Sequence, residues 1–202
     1  MKKIEQVFRE VLYQSMEKNK NVLTQLGLSK ELGFSLSTIN LALKKLEKMN
    51  SVKIGKMNFR IIDIRKILYL WASIRNIEKD LIYKTRVELP VREIERSLPE
   101  LNYGAYSAYK FKFKDVPADY SEVYVYADNK EIEEVKKRFP INKKIPNLFV
   151  LEKDVNMGKY PKTGTAAQIF VDLWNLKQWY ASDFLKSFEE KLKINFKIET
   201  KR

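Results

Sequence analysis

The stretch Thr24-Gln25-Leu26-Gly27-Leu28-Ser29-Lys30-Glu31-Leu32-Gly33-Phe34-Ser35-Leu36-Ser37-Thr38-Ile39-Asn40-Leu41-Ala42-Leu43-Lys44-Lys45-Leu46 reads as two short helices joined by a sharp turn. Leu28 and Leu32 are four residues apart and share one helical face. Thr24 precedes them with a side-chain oxygen suited to an N-cap. Gly33 stands where a helix can stop in the left-handed conformation. Ser35 offers a second cap, after which Ile39, Ala42, Leu43 and Leu46 repeat at helical spacing until about Met49, and Asn50 ends the run. Ser29 is small at the point where the two helices must cross closely. Ile39 and Leu43 then bring the second helix back onto the first.

The flanks extend this unit. Ile4, Val7, Phe8, Val11 and Leu12 predict an amphipathic helix over about residues 2–18. Residues 52–54 and 59–62 predict two short strands around Gly55-Lys56-Met57-Asn58. Three helices followed by a basic hairpin resemble a winged helix-turn-helix covering residues 1–62. In that architecture the second helix of the pair enters the major groove, and residues near its start reach base edges. The resemblance implies DNA contacts from Ser35, which also caps the helix, and base contacts from Ser37, Thr38, Asn40 and Leu41. Asn40 suits adenine, while Ser37 and Thr38 suit bases or phosphates. Lys44, Lys45 and Lys48 would meet phosphates. Lys53, Lys56, Asn58 and Arg60 would set the hairpin on the backbone or in the minor groove. Leu41 departs from the pattern, since many winged helices carry Arg or another polar residue there. It suits a thymine methyl or a protein contact and weakens guanine readout. A protein-interaction module with ordinary solvated lysines is the alternative for this block.

Charge favours the polyanion. Lys and Arg number 39 against 26 Asp and Glu, a formal net charge of +13. Residues 1–62 hold twelve of the basic and five of the acidic side chains, so about half the surplus lies in the first third of the chain. The chain contains no histidine and no cysteine. The commonest general base and metal ligand are therefore missing, as are a thiolate zinc site, a disulfide and a cysteine nucleophile. The expectation is a protein that is not an enzyme and needs no metal or cofactor. The opening residues Met1-Lys2-Lys3-Ile4-Glu5-Gln6 lack the apolar core of a signal peptide. The longest apolar stretch, residues 67–74 broken by Ser73, is too short to span a bilayer. These features predict a cytoplasmic protein away from membranes.

At 202 residues there is room for a second domain, with a boundary near Asp63. Residues 63–202 alternate helix and strand, which makes the chain α+β with a C-terminal mixed α/β domain. Helices are expected over about residues 63–79, from Pro90 to near Leu98, and over 130–138, 165–175 and 180–193. Strands are expected over 81–89, 123–126 and 148–151. The alternation in Lys110-Phe111-Lys112-Phe113-Lys114 predicts a half-buried strand with outward lysines. With Tyr103, Tyr106, Tyr109, Tyr120, Tyr124 and Tyr126 nearby, the alternative there is a platform for single-stranded nucleic acid. Trp71, Trp174 and Trp179 are expected in the core, and Asp172 as a structural hydrogen-bonding group.

Three segments of this second part resemble the AbiEi family: Asn102-Tyr103-Gly104-Ala105-Tyr106-Ser107-Ala108-Tyr109, Glu122-Val123-Tyr124-Val125-Tyr126-Ala127, and Thr165-Ala166-Ala167-Gln168-Ile169-Phe170-Val171-Asp172-Leu173. Tyr180-Ala181-Ser182-Asp183-Phe184-Leu185 fits the family's last helix. AbiEi proteins are winged-helix transcriptional regulators acting as antitoxins in type IV toxin–antitoxin systems. The resemblance implies a repressor that binds its own operator. It also implies a nucleotidyltransferase-like toxin, opposed without a stable complex, and a C-terminal domain of degenerate nucleotidyltransferase-like fold. A homodimer would fit the habit of winged-helix regulators.

An active nucleotidyltransferase would need a Gly-Ser turn followed by Asp-x-Asp to hold magnesium, and the chain has no Gly-Ser pair. Asp128 ends its strand alone, and Asp115 and Asp119 lie in a proline-containing loop. Gly158-Lys159-Tyr160-Pro161-Lys162-Thr163-Gly164-Thr165 lacks the Gly-Lys-Ser/Thr of a phosphate loop and reads better as a loop ending in a helix cap. The competing function is an RNA-binding or nucleotidyltransferase-related protein whose C-terminal domain carries the activity.

Overall fold

The computed structural model describes residues 1–195 and shows a mixed α+β chain that divides into two compact units. The first comprises Met1–Arg75 together with Thr165–Val171, and the second Asn76–Gly164 with the residues from Asp172 onward.

The first unit is built around α1 (Lys3–Met16). Val7, Phe8, Val11 and Leu12 are fully buried on it, and α1 packs on α2 (Gln25–Leu32), which buries Leu28 and Leu32, and on α3 (Leu36–Lys48), which buries Ile39, Leu43 and Leu46. Each such side chain contributes roughly 1.5–3 kcal/mol by leaving water. The turn between α2 and α3 is closed on both sides. Thr24 accepts from the Gly27 amide, and Ser35 accepts from the Thr38 amide. Gly33 sits at φ +67°, and the Ser29 hydroxyl donates to the Phe34 carbonyl at 2.6 Å. The small residue at 29 thus ties the turn as well as permitting close packing.

Three short strands complete this layer in the order β1-β3-β2, all antiparallel: β1 (Val22–Leu23), β2 (Val52–Ile54) and β3 (Phe59–Ile61). Alternation along β3 buries Phe59 and Ile61 and turns Arg60 outward, opposite Val22 and Lys53. The buried Ser51 hydroxyl donates to the Leu46 carbonyl at 2.7 Å, fixing the exit from α3.

Helix α4 (Ile64–Ile74), capped by Asp63, also belongs to this unit. The sequence boundary near Asp63 therefore falls short, because α4 packs along α1. The indole N–H of Trp71 donates to Glu5 Oε2 at 3.3 Å, and Arg75 Nη1 lies 3.6 Å from the same oxygen, all three residues being buried. Taking away one member of such a buried ion pair leaves an uncompensated charge, costing about 3–5 kcal/mol. The residues of α8 (Ala166–Trp174) up to Val171 join them. The Ala166 amide donates to Glu17 Oε1 at 2.7 Å, and Phe170 meets Tyr69 edge-on at 5.6 Å.

The second unit holds a four-stranded sheet in the order β4-β7-β6-β5: β4 (Leu81–Thr85), β5 (Asn102–Gly104), β6 (Val123–Ala127) and β7 (Leu148–Glu152). Strands β6 and β7 are parallel; the other two pairings are antiparallel. Every residue of β6 is buried, as expected for a central strand covered on both faces. On one face Val123, Val125 and Val150 pack with Ile94 of α5 (Val91–Ser97) and Ile132 and Val135 of α7 (Glu131–Arg138). On the other, Tyr106 and Tyr109 of α6 (Ala105–Phe113) meet Phe184 of α9 (Ala181–Asn195).

Several local expectations change. Residues 110–114 are not a strand but the last turns of α6 and its left-handed cap at Lys114. The alternation is real but secondary: Tyr106, Tyr109 and Phe113 are spaced three and four apart, and that helical stripe packs against α9. The strand from Leu81 ends at Thr85 rather than Leu89. The helix begun after Asp63 stops at Ile74, and a separate 3₁₀ turn follows (Ile77–Asp80). Trp71 is in the core, but Trp174 and Trp179 are 44% and 75% exposed. Asp172 is fully buried and accepts from the Tyr126 hydroxyl.

Candidate nucleic-acid interface

A concavity of about 670 Å³ in the first unit opens between the start of α2, the outward face of α3 and the β2–β3 turn. Helix α3 supplies Leu36, Ser37, Asn40, Leu41 and Lys44, which fall on one face because they repeat at four-residue intervals in two adjacent rows. The opposite face, carrying Ile39, Leu43 and Leu46, is buried against α1 and α2. One helix thus fastens itself to the core with one stripe and presents the other to solvent.

The far wall is the turn Gly55-Lys56-Met57-Asn58. The Gly55 amide donates to the Asn58 carbonyl at 2.7 Å and closes it. A Cβ at position 55 would lie 3.2 Å from that carbonyl oxygen, so the turn is tight around its glycine. Thr24, Gln25 and Leu26 form the third side.

Of the twelve residues expected at DNA, the groove brings together Ser37, Asn40, Leu41, Lys44, Lys56 and Asn58. Ser35, Thr38, Lys45, Lys48, Lys53 and Arg60 lie outside its lining. The Ser35 hydroxyl accepts from the Thr38 amide and lies 2.9 Å from the Ser37 hydroxyl and 3.0 Å from that of Thr38. These contacts start α3. Lys53 and Arg60 are cross-strand neighbours on the outward side of the sheet. Lys45 and Lys48 are exposed farther along α3.

Gln25, Leu26, Leu36 and Met57 were not among the expected residues. No sequence signal separates an exposed Leu from a core Leu within a helical stripe. Among the described residues, the lining contains no Asp or Glu.

Two of the carboxylates in the second unit that could be suspected of catalysis, Asp128 and Asp115, are engaged structurally. Asp128 accepts from the Lys130 and Glu131 amides at 2.8 and 3.0 Å, in the turn that leads into α7, and these bonds hold its carboxyl below the usual range. Asp115 pairs with Lys191 at 2.9 Å, which lowers its pKa too. Thr165, at the end of the glycine-containing loop, accepts from the Gln168 amide at 3.1 Å and caps α8. Among the described residues there is no cluster of three metal-ligating side chains, and no helix is long and apolar enough to cross a membrane.

A second concavity of about 430 Å³ lies over the sheet of the second unit, where Tyr124 and Phe149 stack at 4.7 Å across paired strands. Lys177 and Glu78 bridge at 2.6 Å at its rim. Burial pushes the Tyr124 phenol up, so it stays protonated and neutral through ordinary pH.

The chain matches no protein-family model and no curated protein.

Proposed function

We propose that the first unit is a winged helix-turn-helix that binds duplex DNA, and that the protein is a transcriptional regulator. The observation that carries this reading is the groove itself. Polar and basic groups from α3 and from the β2–β3 turn converge on one concavity, with no carboxylate among the described residues that line it. Helix α3 is the recognition helix in this proposal, with Asn40 at a base edge and Lys44 and Lys56 at phosphates. Lys45, Lys48, Lys53 and Arg60, outside the lining but exposed, add to the field that draws the duplex in.

The sequence resemblance extends the proposal to an autorepressing AbiEi-like antitoxin, cytoplasmic and non-enzymatic. It would oppose a nucleotidyltransferase-like toxin without holding it in a stable complex, and it would bind its operator as a homodimer. On this reading the second unit is a degenerate nucleotidyltransferase-like fold. The structural employment of Asp128 and Asp115 supports that view.

The test is anisotropy binding of the full chain to DNA from upstream of its own gene, against a scrambled duplex, at low and near-physiological salt. A preference that survives the higher salt supports an operator-binding regulator. Equal, salt-labile binding to both duplexes would leave only a basic surface. The RNA-binding or nucleotidyltransferase-related alternative would then take precedence.

A further inference from the structure

The groove is lined by apolar side chains as well as basic ones. Leu26, Leu36, Leu41 and Met57 are 54%, 50%, 53% and 81% exposed, and all of them line it. Single exposed apolar side chains are ordinary on a protein surface. Their convergence on one concavity is not, because each gains nothing by facing water while it stays uncovered.

Charge limits what covers them. Among the described residues the lining carries Lys44 and Lys56 and no acidic residue, which suits a polyanion. A purely apolar protein segment would bury those lysines without a counter-charge, at a desolvation cost that nothing in the groove offsets.

The chemistry of the lining also discriminates among base pairs. Guanine is read mainly by Arg or Lys, and cytosine by Asp or Glu. The α3 face has no Arg and no carboxylate, and its lysine, Lys44, lies two turns after Leu36. It does have Asn40, the side chain suited to adenine N6 and N7, next to Leu41. The adenine partner, thymine, projects its C5-methyl group into the same groove. An amide beside an aliphatic side chain is therefore complementary to one A·T pair.

Resting on the reading of this face as a DNA-binding surface, we propose that it reads C5-methyl groups of pyrimidines in the major groove. Leu36, Leu41 and Met57 cover the methyls while Asn40 takes the adenine. Leu26, at the start of α2, closes the apolar side of the groove against the sugar edge. The preferred duplexes are rich in A·T pairs for their methyl groups, not for a narrow minor groove.

The test uses the full chain and four mixed-sequence duplexes of equal length. Two are A·T-rich, one with thymine and one with deoxyuridine at every such position. Two are G·C-rich, one with cytosine and one with 5-methylcytosine. Replacing thymine by deoxyuridine deletes the methyl alone, and the expected loss is about fourfold per covered methyl. Methylating cytosine should strengthen binding, which separates a methyl effect from any change in A·T duplex shape. The Leu41→Ala, Met57→Ala double variant, altered only at exposed positions, should narrow both gaps and keep the salt dependence.

Equal affinity for the thymine and deoxyuridine duplexes, with binding still weakened by salt and by Lys44→Ala, would overturn the methyl reading and leave DNA binding intact. Failure to bind any of the four would overturn both. Those two failures are distinguishable in one titration series.

Discussion

The Tyr126 hydroxyl donates to both carboxylate oxygens of Asp172, 2.8 Å from each. The tyrosine comes from the centre of the sheet and the aspartate from α8, and both are buried. The β5 backbone closes over them at Gly104, where a Cβ would lie 3.1 Å from the Tyr126 ring and 3.3 Å from Asp172 Oδ2. This is a tie between a strand and a helix, with no room for substrate at the glycine. Tyr126→Phe removes the donor and leaves the buried carboxylate with one partner fewer, costing about 1–3 kcal/mol. The expected result is a lower urea midpoint at unchanged slope. A midpoint equal to that of the parent would remove the structural role assigned to this pair.

The tyrosines of the second unit set an alkaline limit. Burial is the main cause that raises the phenol pKa values of Tyr106, Tyr120 and Tyr124; nearby Tyr180 adds at Tyr106, the Glu95 hydrogen bond at Tyr120 and Glu122 at Tyr124. An exposed phenol loses its proton near pH 10. Above that pH the unfolded chain ionises while the folded one holds its protons. The stabilisation is therefore fully present below about pH 10 and lost as pH rises through the elevated values. Lys191, raised by its hydrogen bond to Asp115, acts in the same direction. Phenolate absorbance and near-ultraviolet circular dichroism should change together in an alkaline titration. Free titration near pH 10 with unchanged dichroism would put those rings in water.

Asp115 has the opposite sign. Lys191 lowers its carboxyl pKa, chiefly by hydrogen bonding. Its contribution is present above the ordinary value of about 3.9 and lost as pH falls through the lowered one. The carboxylate is more than a third exposed, so solvent screens it and the acid effect is small. Asp115→Asn should flatten the stability profile slightly below about pH 4 and leave it unchanged near neutrality.

The three tryptophans separate by environment. Trp71 is wholly buried with its N–H on Glu5, whereas Trp179 is largely exposed and touches Tyr180 edge-on. Trp71→Ala should cost about 3–5 kcal/mol, the range for deleting a core aromatic. Trp179→Ala should stay within about 0.5 kcal/mol of the parent. Iodide should quench Trp179 and Trp174 and spare Trp71. Equal protection of all three would contradict these placements.

The outcome for Trp174 and Trp179 shows what the sequence carries and what it does not. The helical block around Gly33 was legible because three independent signals coincide there: caps at Thr24 and Ser35, a left-handed stop, and apolar spacing. The strands β1 and β5, two and three residues long, hold no period to detect. The alternation at 110–114 misled because a helix end splays its side chains: Phe111 packs on Tyr103, Phe113 on Tyr109 and Phe188, and Lys110 reaches Glu95. The pattern in α4 showed that it packs, but its partner depends on Glu5 and Arg75, far apart in sequence. In the groove, the polar members on α3 were readable from their place in the resemblance. Leu26, Leu36 and Met57 were not, since exposure belongs to the packed unit.

Lys44 and Lys45 are adjacent in sequence, yet only Lys44 lines the groove. On the DNA-binding reading, each neutralised phosphate adds about one to the salt slope of the logarithm of affinity, and a side chain outside the groove adds less. Lys44→Ala should therefore lower affinity for every duplex and reduce the slope by about one. Lys45→Ala should have the smaller effect on both. Asn40→Ala should instead relax preference at one base pair and leave the slope unchanged, because it faces a base and carries no charge. Parallel titrations of these three variants over a salt series test the geometry residue by residue. If Lys45→Ala changed the slope more than Lys44→Ala, the duplex would have to lie along a different face of α3.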